Sequence, residues 1–184
     1  MNPESQWSAE DTDLVLIEQW RAGDSRAATE LVRRHADALA RFAASAGERE
    51  EIEELVQDTF VRAFGSLDAF RGESSLRTWL FTIERRLMLD RRRTERRERN
   101  LVSLEAAEAT TEYDALDGMV AQETAKRVKR AMASLSPMQR EVFVMRVEQG
   151  LAYKEIATIL DTSEGAARVH YHNAIRAVKE LLDE

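Results

Sequence analysis

The sequence predicts an all-α protein: two small helical domains joined by a flexible acidic linker, the C-terminal one a helix-turn-helix. Three observations carry this. Ala, Glu, Leu and Arg dominate the 184 residues, with only two prolines and seven glycines; all four are good helix formers. Apolar residues recur with helical period in successive segments that start at Ser, Asp or Pro and stop at Gly. Residues 136–183 break into a helix, a second helix, the short turn DTS and a longer helix, which is the spacing of a helix-turn-helix.

Residues 1–12 read as disordered, polar and acidic. A short helix begins near Asp13 and stops at Gly23. Asp24 or Ser25 caps a second helix, on which Ala28, Leu31, Val32, Leu39 and Phe42 form one face and His35 falls on the same side as a packed or edge histidine. Gly47 breaks the chain. A third helix carries Ile52, Leu55, Val56, Phe60 and Phe64 on one side. Gly65 to Ser75 reads as a loop, and Ser74 or Ser75 caps a fourth helix with the stripe Leu76, Trp79, Leu80, Ile83 and Leu87. The stripe fades into an arginine run, Arg85, Arg86, Arg91, Arg92, Arg93, Arg96, Arg97 and Arg99. A charge run is ordinarily a solvated face; one made of arginine without lysine leans toward phosphate, which the guanidinium fork fits.

Residues 100–118 are small, polar and acidic with no sustained period, and read as a linker. Residues 13–99 and 119–184 are then the two domains. In the second, Ser136 caps a helix with Pro137 in its first turn, carrying Val142, Phe143 and Val147 and ending at Gly150. LAYKEIATIL turns Ile156, Ala157 and Leu160 inward. Ser163 caps the last helix, whose inner face is Ala167, Tyr171, Ala174, Val178 and Leu181. Its opposite face shows Glu164, Arg168, Val169, His172, Asn173 and Arg176. Recognition helices read bases with this N-terminal portion, where Arg suits guanine and Asn suits adenine. An ordinary helical hairpin with a solvated face is the alternative.

Composition excludes several classes. With no cysteine there are no disulfides or thiolate metal sites. His170 and His172 are two apart on a helix and cannot share a metal. No nucleophile, base and orienting group can be assembled, so no enzyme is expected and no cofactor. No signal peptide or membrane-spanning stretch is visible, so a soluble cytoplasmic protein without membrane contact of its own is expected. The net charge of −7 is the wrong sign for a protein that binds DNA unaided.

The chain resembles the extracytoplasmic-function group of the sigma-70 family, bacterial transcription initiation factors. In the first domain the resemblance rests on EQWRAGDSRAATELVRRH, EEIEELVQDTFVRAF and FRGESSLRTWLFTIERRLMLDRRR. In the second it rests on LSPMQREVFVMRVEQGLAYKEIATIL and the helix that follows. Their order and spacing are more specific than any one motif. The resemblance implies a sigma factor that binds core RNA polymerase, recognises −35 and −10 promoter elements and melts the latter. Glu54, Gln57 and Asp58 would meet the coiled coil of the polymerase's largest subunit, with a further contact at the flap region. The loop and fourth helix would capture the opened −10 strand through Phe70, Arg71, Ser74, Ser75, Arg77 and Thr78, with Arg85, Arg86, Asp90, Arg91 and Arg93 lining the DNA. Extruding a base costs a few kcal/mol, which a pocket and a basic surface must recover. The −35 element would fall to Ser163, Glu164, Arg168, Val169, His170, His172, Asn173 and Arg176. An anti-sigma factor is a further implied partner.

The chain departs from the family pattern in places. Glu84 stands where a small residue is usual and Arg86 where Asn is common. His170, Asn173 and Ile175 replace residues that are usually basic, which weakens the phosphate contacts of the second domain. The acidic linker residues Glu105, Glu108, Glu112, Asp114 and Asp117 fit either a solubilising tether or a segment that threads toward the polymerase cleft. A stand-alone helix-turn-helix regulator is the alternative function. A helical adaptor, such as a phospho-dependent sigma mimic, would need an acidic cluster on a strand, and no such strand is visible.

Overall fold

The computed structural model describes residues 9–48, 51–102 and 130–183, and all regular structure in them is helical. Helix α1 spans Ala9–Arg21, α2 Ser25–Ala46, α3 Ile52–Gly65 and α4 Leu76–Val102. After a helical stretch at 130–134 come α5 Pro137–Val147, α6 Tyr153–Leu160 and α7 Glu164–Asp183.

The boundaries follow the local chemistry. Gly23 and Gly47 sit at φ 94° and 99°, the left-handed conformation that ends a helix and favours glycine. The Asp24 side chain accepts from the Arg26 amide at 2.9 Å, and Ser75 Oγ accepts from the Thr78 amide at 3.1 Å; both satisfy orphan donors of a first turn. Two expectations move. Helix α1 starts at Ala9, four positions before Asp13, so residues 9–12 are helical rather than disordered. Helix α4 runs on to Val102, into the segment read as linker; the rest of that linker, with its acidic residues, lies outside the described residues, as do 1–8.

In the first domain Ile17, Leu31, Leu39, Phe42, Leu55, Phe60, Leu80, Phe81 and Met88 form the core. The Phe42 and Phe81 rings meet edge to face at 5.2 Å between centroids, a favoured aromatic geometry. His35 is a packed histidine, its Nε2 lying 2.7 Å from the Asp13 carboxylate. The core does not stop at the domain boundary. Val142, Met145, Leu151, Ile156, Ile159 and Leu160 belong to the same buried cluster, because α6 packs on α4 and α5 on α2. That second contact explains a correction in α5. Val147, expected inside, is exposed, while Val144, Met145 and even Glu141 are buried; the helix is covered from two sides, so a one-sided stripe misassigns it.

Candidate nucleic-acid interface

Helix α3 turns Glu54 and Gln57 to solvent while Leu55, Thr59 and Phe60 are buried. Asp58, partly exposed, flanks them. From α4, Arg91 reaches across to this acidic row: its Nη2 is 3.1 Å from Asp58 and 3.6 Å from Glu54, and its Nη1 is 3.7 Å from Glu51. Arg91, expected on the −10 surface, is thus grouped with the residues expected to meet polymerase. Pairs this exposed add little stability, but they fix where the α3 carboxylates sit.

The loop before α4 is held from behind. Arg21 Nη2 donates to the carbonyls of Leu67 at 3.0 Å and Phe70 at 3.3 Å, a role the sequence reading missed. Phe70 itself is 7% exposed and packs on Trp79 at 5.1 Å, so it stands beneath the loop as support rather than on its open side. Arg71 is exposed and Ser74 and Ser75 are half-buried. Along α4, Arg86, Asp90, Arg93, Arg96 and Arg97 face solvent, with Arg93 3.5 Å from Asp90.

Four of the expected −10 residues meet the second domain, Ser75 most loosely, its Oγ donating to Glu155 Oε1 at 3.5 Å. The Thr78 hydroxyl donates to Glu155 Oε1 at 2.8 Å, and Thr78 is 0% exposed. Arg77 Nη2 donates to Gln149 Oε1 at 2.6 Å. Arg85 Nε donates to Glu141 Oε2 at 3.0 Å. Burial lowers the pKa of Arg77, partly countered by the Glu155 carboxylate and reinforced by nearby Arg41. Glu155 is doubly used: its Oε2 also accepts from the Ala152 amide at 2.8 Å, half of a capping box for α6. Gln149 Nε2 is buried with no partner. No local sequence signal marks Glu141, Gln149 or Glu155 as meeting the first domain, where their partners lie 56 to 80 positions away.

Beside Arg85 on α4, Glu84 is fully buried, and neither carboxyl oxygen has a hydrogen-bond partner. Burial, with the Glu48 carboxylate adding to it, pushes its pKa up to about 9.

In the helix-turn-helix, Asp161 adopts the left-handed conformation at φ 52° and turns the chain after α6. Ser163 Oγ then accepts from the Ala166 amide at 3.1 Å. Ala167 and Ala174 are buried against α6 and α5, leaving Ser163, Glu164, Arg168, Val169, His172 and Arg176 exposed and His170 and Asn173 half-buried. Glu164, Arg168, Val169, His172 and Arg176 fall outward as the spacing predicts, Asn173 is more covered than expected, and the Leu181 side chain lies outside the described residues. Arg168 pairs with Glu164 at 2.5 Å and lies over the Tyr153 ring at 4.6 Å, so its guanidinium is held at the N-terminal end of α7. Arg176 lies 4.0 Å from Glu180. Among the described residues, no group of three or more His, Asp or Glu side chains could hold a metal, and no helix is long and apolar enough to cross a membrane.

Comparison with known proteins matches two stretches of the chain. Residues 31–98 match the family model for Sigma-70 region 2, and residues 125–178 match that for Sigma-70, region 4. The chain is 34% identical to RNA polymerase sigma factor CnrH of Cupriavidus metallidurans, covering all of this chain and 97% of that protein. It is 29% identical to the ECF RNA polymerase sigma-E factor of Escherichia coli, over 91% of this chain and 92% of the other. Two solved structures are similar. CnrH in complex with the cytosolic domain of CnrY has a TM-score of 0.69 at 31% identity, covering 94% of this chain and 98% of that one. The sigma factor RpoE in complex with the anti-sigma factor NepR from Bartonella quintana also has a TM-score of 0.69, at 28% identity, covering 84% and 96%.

Proposed function

The chain belongs to the extracytoplasmic-function group of the sigma-70 family and is a sigma factor that directs promoter-specific transcription initiation, and from that premise we propose how its parts divide the work. The stand-alone regulator is not favoured, since sigma region 2 would have no role in it.

Glu54, Gln57 and Asp58 on α3 dock on the coiled coil of the polymerase's largest subunit, and the second domain meets the flap. The exposed face of α4, with Arg86 and Arg93, takes the −10 phosphates, while Arg71, Ser74 and Ser75 border the pocket for the opened strand. Arg77, Thr78 and Arg85 join that surface when the second domain moves off it. The outer face of α7 reads the −35 element. Arg168 there suits a guanine edge and Val169, 58% exposed, suits a thymine methyl. The boundaries 13–99 and 119–184, with the linker between, describe this division. The protein has no reaction of its own and needs no cofactor; the chemistry is the polymerase's. It works in the cytoplasm, where core polymerase and promoter DNA are. The relatives solved with CnrY and NepR support an anti-sigma factor as its natural inhibitor.

The observation that carries this reading is the pair of exposed faces, one arginine-rich on α4 and one on the N-terminal half of α7, in a chain whose net charge is −7. The arginine-rich face of α4 supplies local positive charge for DNA, while the negative total disfavours binding without polymerase. Run-off transcription with core polymerase and the native upstream region tests it. Initiation from a promoter that core alone ignores is expected; folded protein that yields no transcript from any promoter with active core sinks the reading.

A further inference from the structure

Arg91 stands off the face of α4 assigned to DNA. At about 100° per residue, Arg86, Asp90, Arg93 and Arg97 fall within about 60° of one another, and Arg91 lies about 100° beyond their edge. Those four residues are exposed, whereas the Arg91 side chain is 23% exposed and turned to α3. There its guanidinium meets Asp58, Glu54 and Glu51. Glu51 is the N-cap of α3, yet its side chain makes no capping bond, and it holds the left-handed conformation at φ 59°, which is uncommon for a residue other than glycine. Its carboxylate faces Arg91 instead. The three carboxylates also need a cation among them. Glu54 and Asp58 stand four apart on one helix, and Glu51 three before Glu54, spacings at which like charges repel. Arg91 relieves that repulsion while using one oxygen of each, and one cation among three carboxylates leaves the row negative. The outer oxygens take no hydrogen bond among the described residues, so the row presents ordered acceptors to a cationic partner.

We infer that Arg91 is a positioning residue for polymerase docking and not a −10 contact: it gathers Glu51, Glu54 and Asp58 into one arrangement, which a basic surface of core polymerase takes through their outer oxygens. This rests on the assignment of the α3 row to core polymerase made above. It adds Glu51 to that row and moves Arg91 from the DNA to the polymerase. Two effects of the guanidinium oppose each other. Its positive charge reduces attraction to a basic partner, an effect that falls mainly on association and that salt screens. Its hold spares the carboxylate side chains the freedom they would otherwise lose on docking, an effect that persists in salt and slows dissociation. Charge alone therefore predicts that removing Arg91 tightens binding to core polymerase; positioning predicts that it weakens it.

The test uses the full chain at physiological salt. Parent protein with a dye on its N-terminal amine reports binding to core polymerase, and unlabelled variants compete with it. Arg91→Ala is expected to bind about three- to tenfold more weakly, although it makes the docking face more negative. Arg91→Lys keeps the charge without the fork and recovers part of the loss. In a chain that already carries Glu51→Gln, Glu54→Gln and Asp58→Asn, Arg91→Ala costs less than about twofold further, because the carboxylates it orders are gone; a general loss of stability would add in full. Holoenzyme assembled with saturating Arg91→Ala protein melts the −10 element as the parent does, read by permanganate footprinting. Competition by Arg91→Ala equal to or tighter than the parent, full additivity in the triple background, or defective melting at saturation overturns the positioning role. The triple variant by itself separates the two failures. If it competes like the parent, the assignment of the α3 row to polymerase falls and the positioning with it. If it binds weakly while Arg91→Ala matches the parent, the positioning alone falls.

Discussion

The imidazole of His35 lies 2.7 Å from the carboxylate of Asp13, tying α1 to α2 beneath the surface. Arg34 Nη1 reaches the other oxygen of the same carboxylate at 3.3 Å, and Asp13 is 6% exposed. The carboxylate therefore serves two donors; its removal orphans the half-buried His35 Nε2, while Arg34 keeps Glu30 at 2.8 Å. Asp13→Ala is expected to cost about 1–3 kcal/mol, read as a lower urea midpoint. The effect should travel. Helix α1 also carries Arg21, which holds the Leu67 and Phe70 carbonyls, so the loop before α4 should exchange its amide hydrogens faster in the variant. An unchanged midpoint would show that α1 docks without this contact.

Glu84 makes stability depend on pH. Its folded pKa is about 9 against an ordinary 4.5, so the folded protein keeps the proton at neutral pH while the unfolded chain releases it. A raised carboxyl pKa means that stability is full below about pH 4.5 and drains as pH climbs toward 9. At 1.36 kcal/mol per unit, the loss by pH 7 is about 3 kcal/mol. Glu84→Gln has no proton to lose and should be level with the parent near pH 4.5 and progressively more stable above it. Urea unfolding at a series of pH values from 5 to about 8.5 measures the gap. Parallel curves would mean that the carboxyl is not held neutral.

What could be read from the chain alone depended on how local the cause was. The turn between α6 and α7 and the Ser163 cap were legible because a capping side chain and its amide lie within three positions. The outer face of α7 was legible because one partner surface imposes one period. Helix α4 defeated the same reasoning. Its stripe of Leu76, Trp79, Leu80, Ile83 and Leu87 omits Thr78, Phe81, Glu84 and Met88, all buried, because α4 is covered by α2 and α3 and also by α6. A polar residue such as Thr78 or Arg85 carries no sign of a partner in another domain. Phe70, an exposed-looking aromatic in a glycine-containing loop, became support for Trp79 for the same nonlocal reason.

Helix α5 depends on a reciprocal cap. Ser136 Oγ accepts from the Gln139 amide at 3.3 Å, and Gln139 Oε1 accepts from the Ser136 amide at 3.0 Å. Ser136→Ala should cost about 1 kcal/mol and Ser136→Gly only a few tenths, since glycine leaves the first turn open to water. Because α5 carries Glu141, fraying at its start should also loosen the Arg85 pair. Thermal melts of the two variants check the order; alanine no worse than glycine would mean that the cap is idle.

Arg168 is the side chain on which −35 reading should turn. Its guanidinium is held from two sides, by Glu164 on its own helix and by the Tyr153 ring from α6. A guanidinium already ordered loses less freedom on meeting a base edge, so more of the contact survives as affinity. Arg168→Ala is therefore expected to weaken holoenzyme binding to a −35-containing duplex by about 1–3 kcal/mol and to relax preference at one base pair. The slope of log affinity against log salt should fall by no more than about 1, because a single cation is lost. Tyr153→Leu should reproduce part of the loss without changing that slope, since it removes the prop and keeps the charge. Competition binding against duplexes substituted at each −35 position distinguishes these outcomes; equal discrimination by parent and Arg168→Ala would assign the reading to other residues of α7.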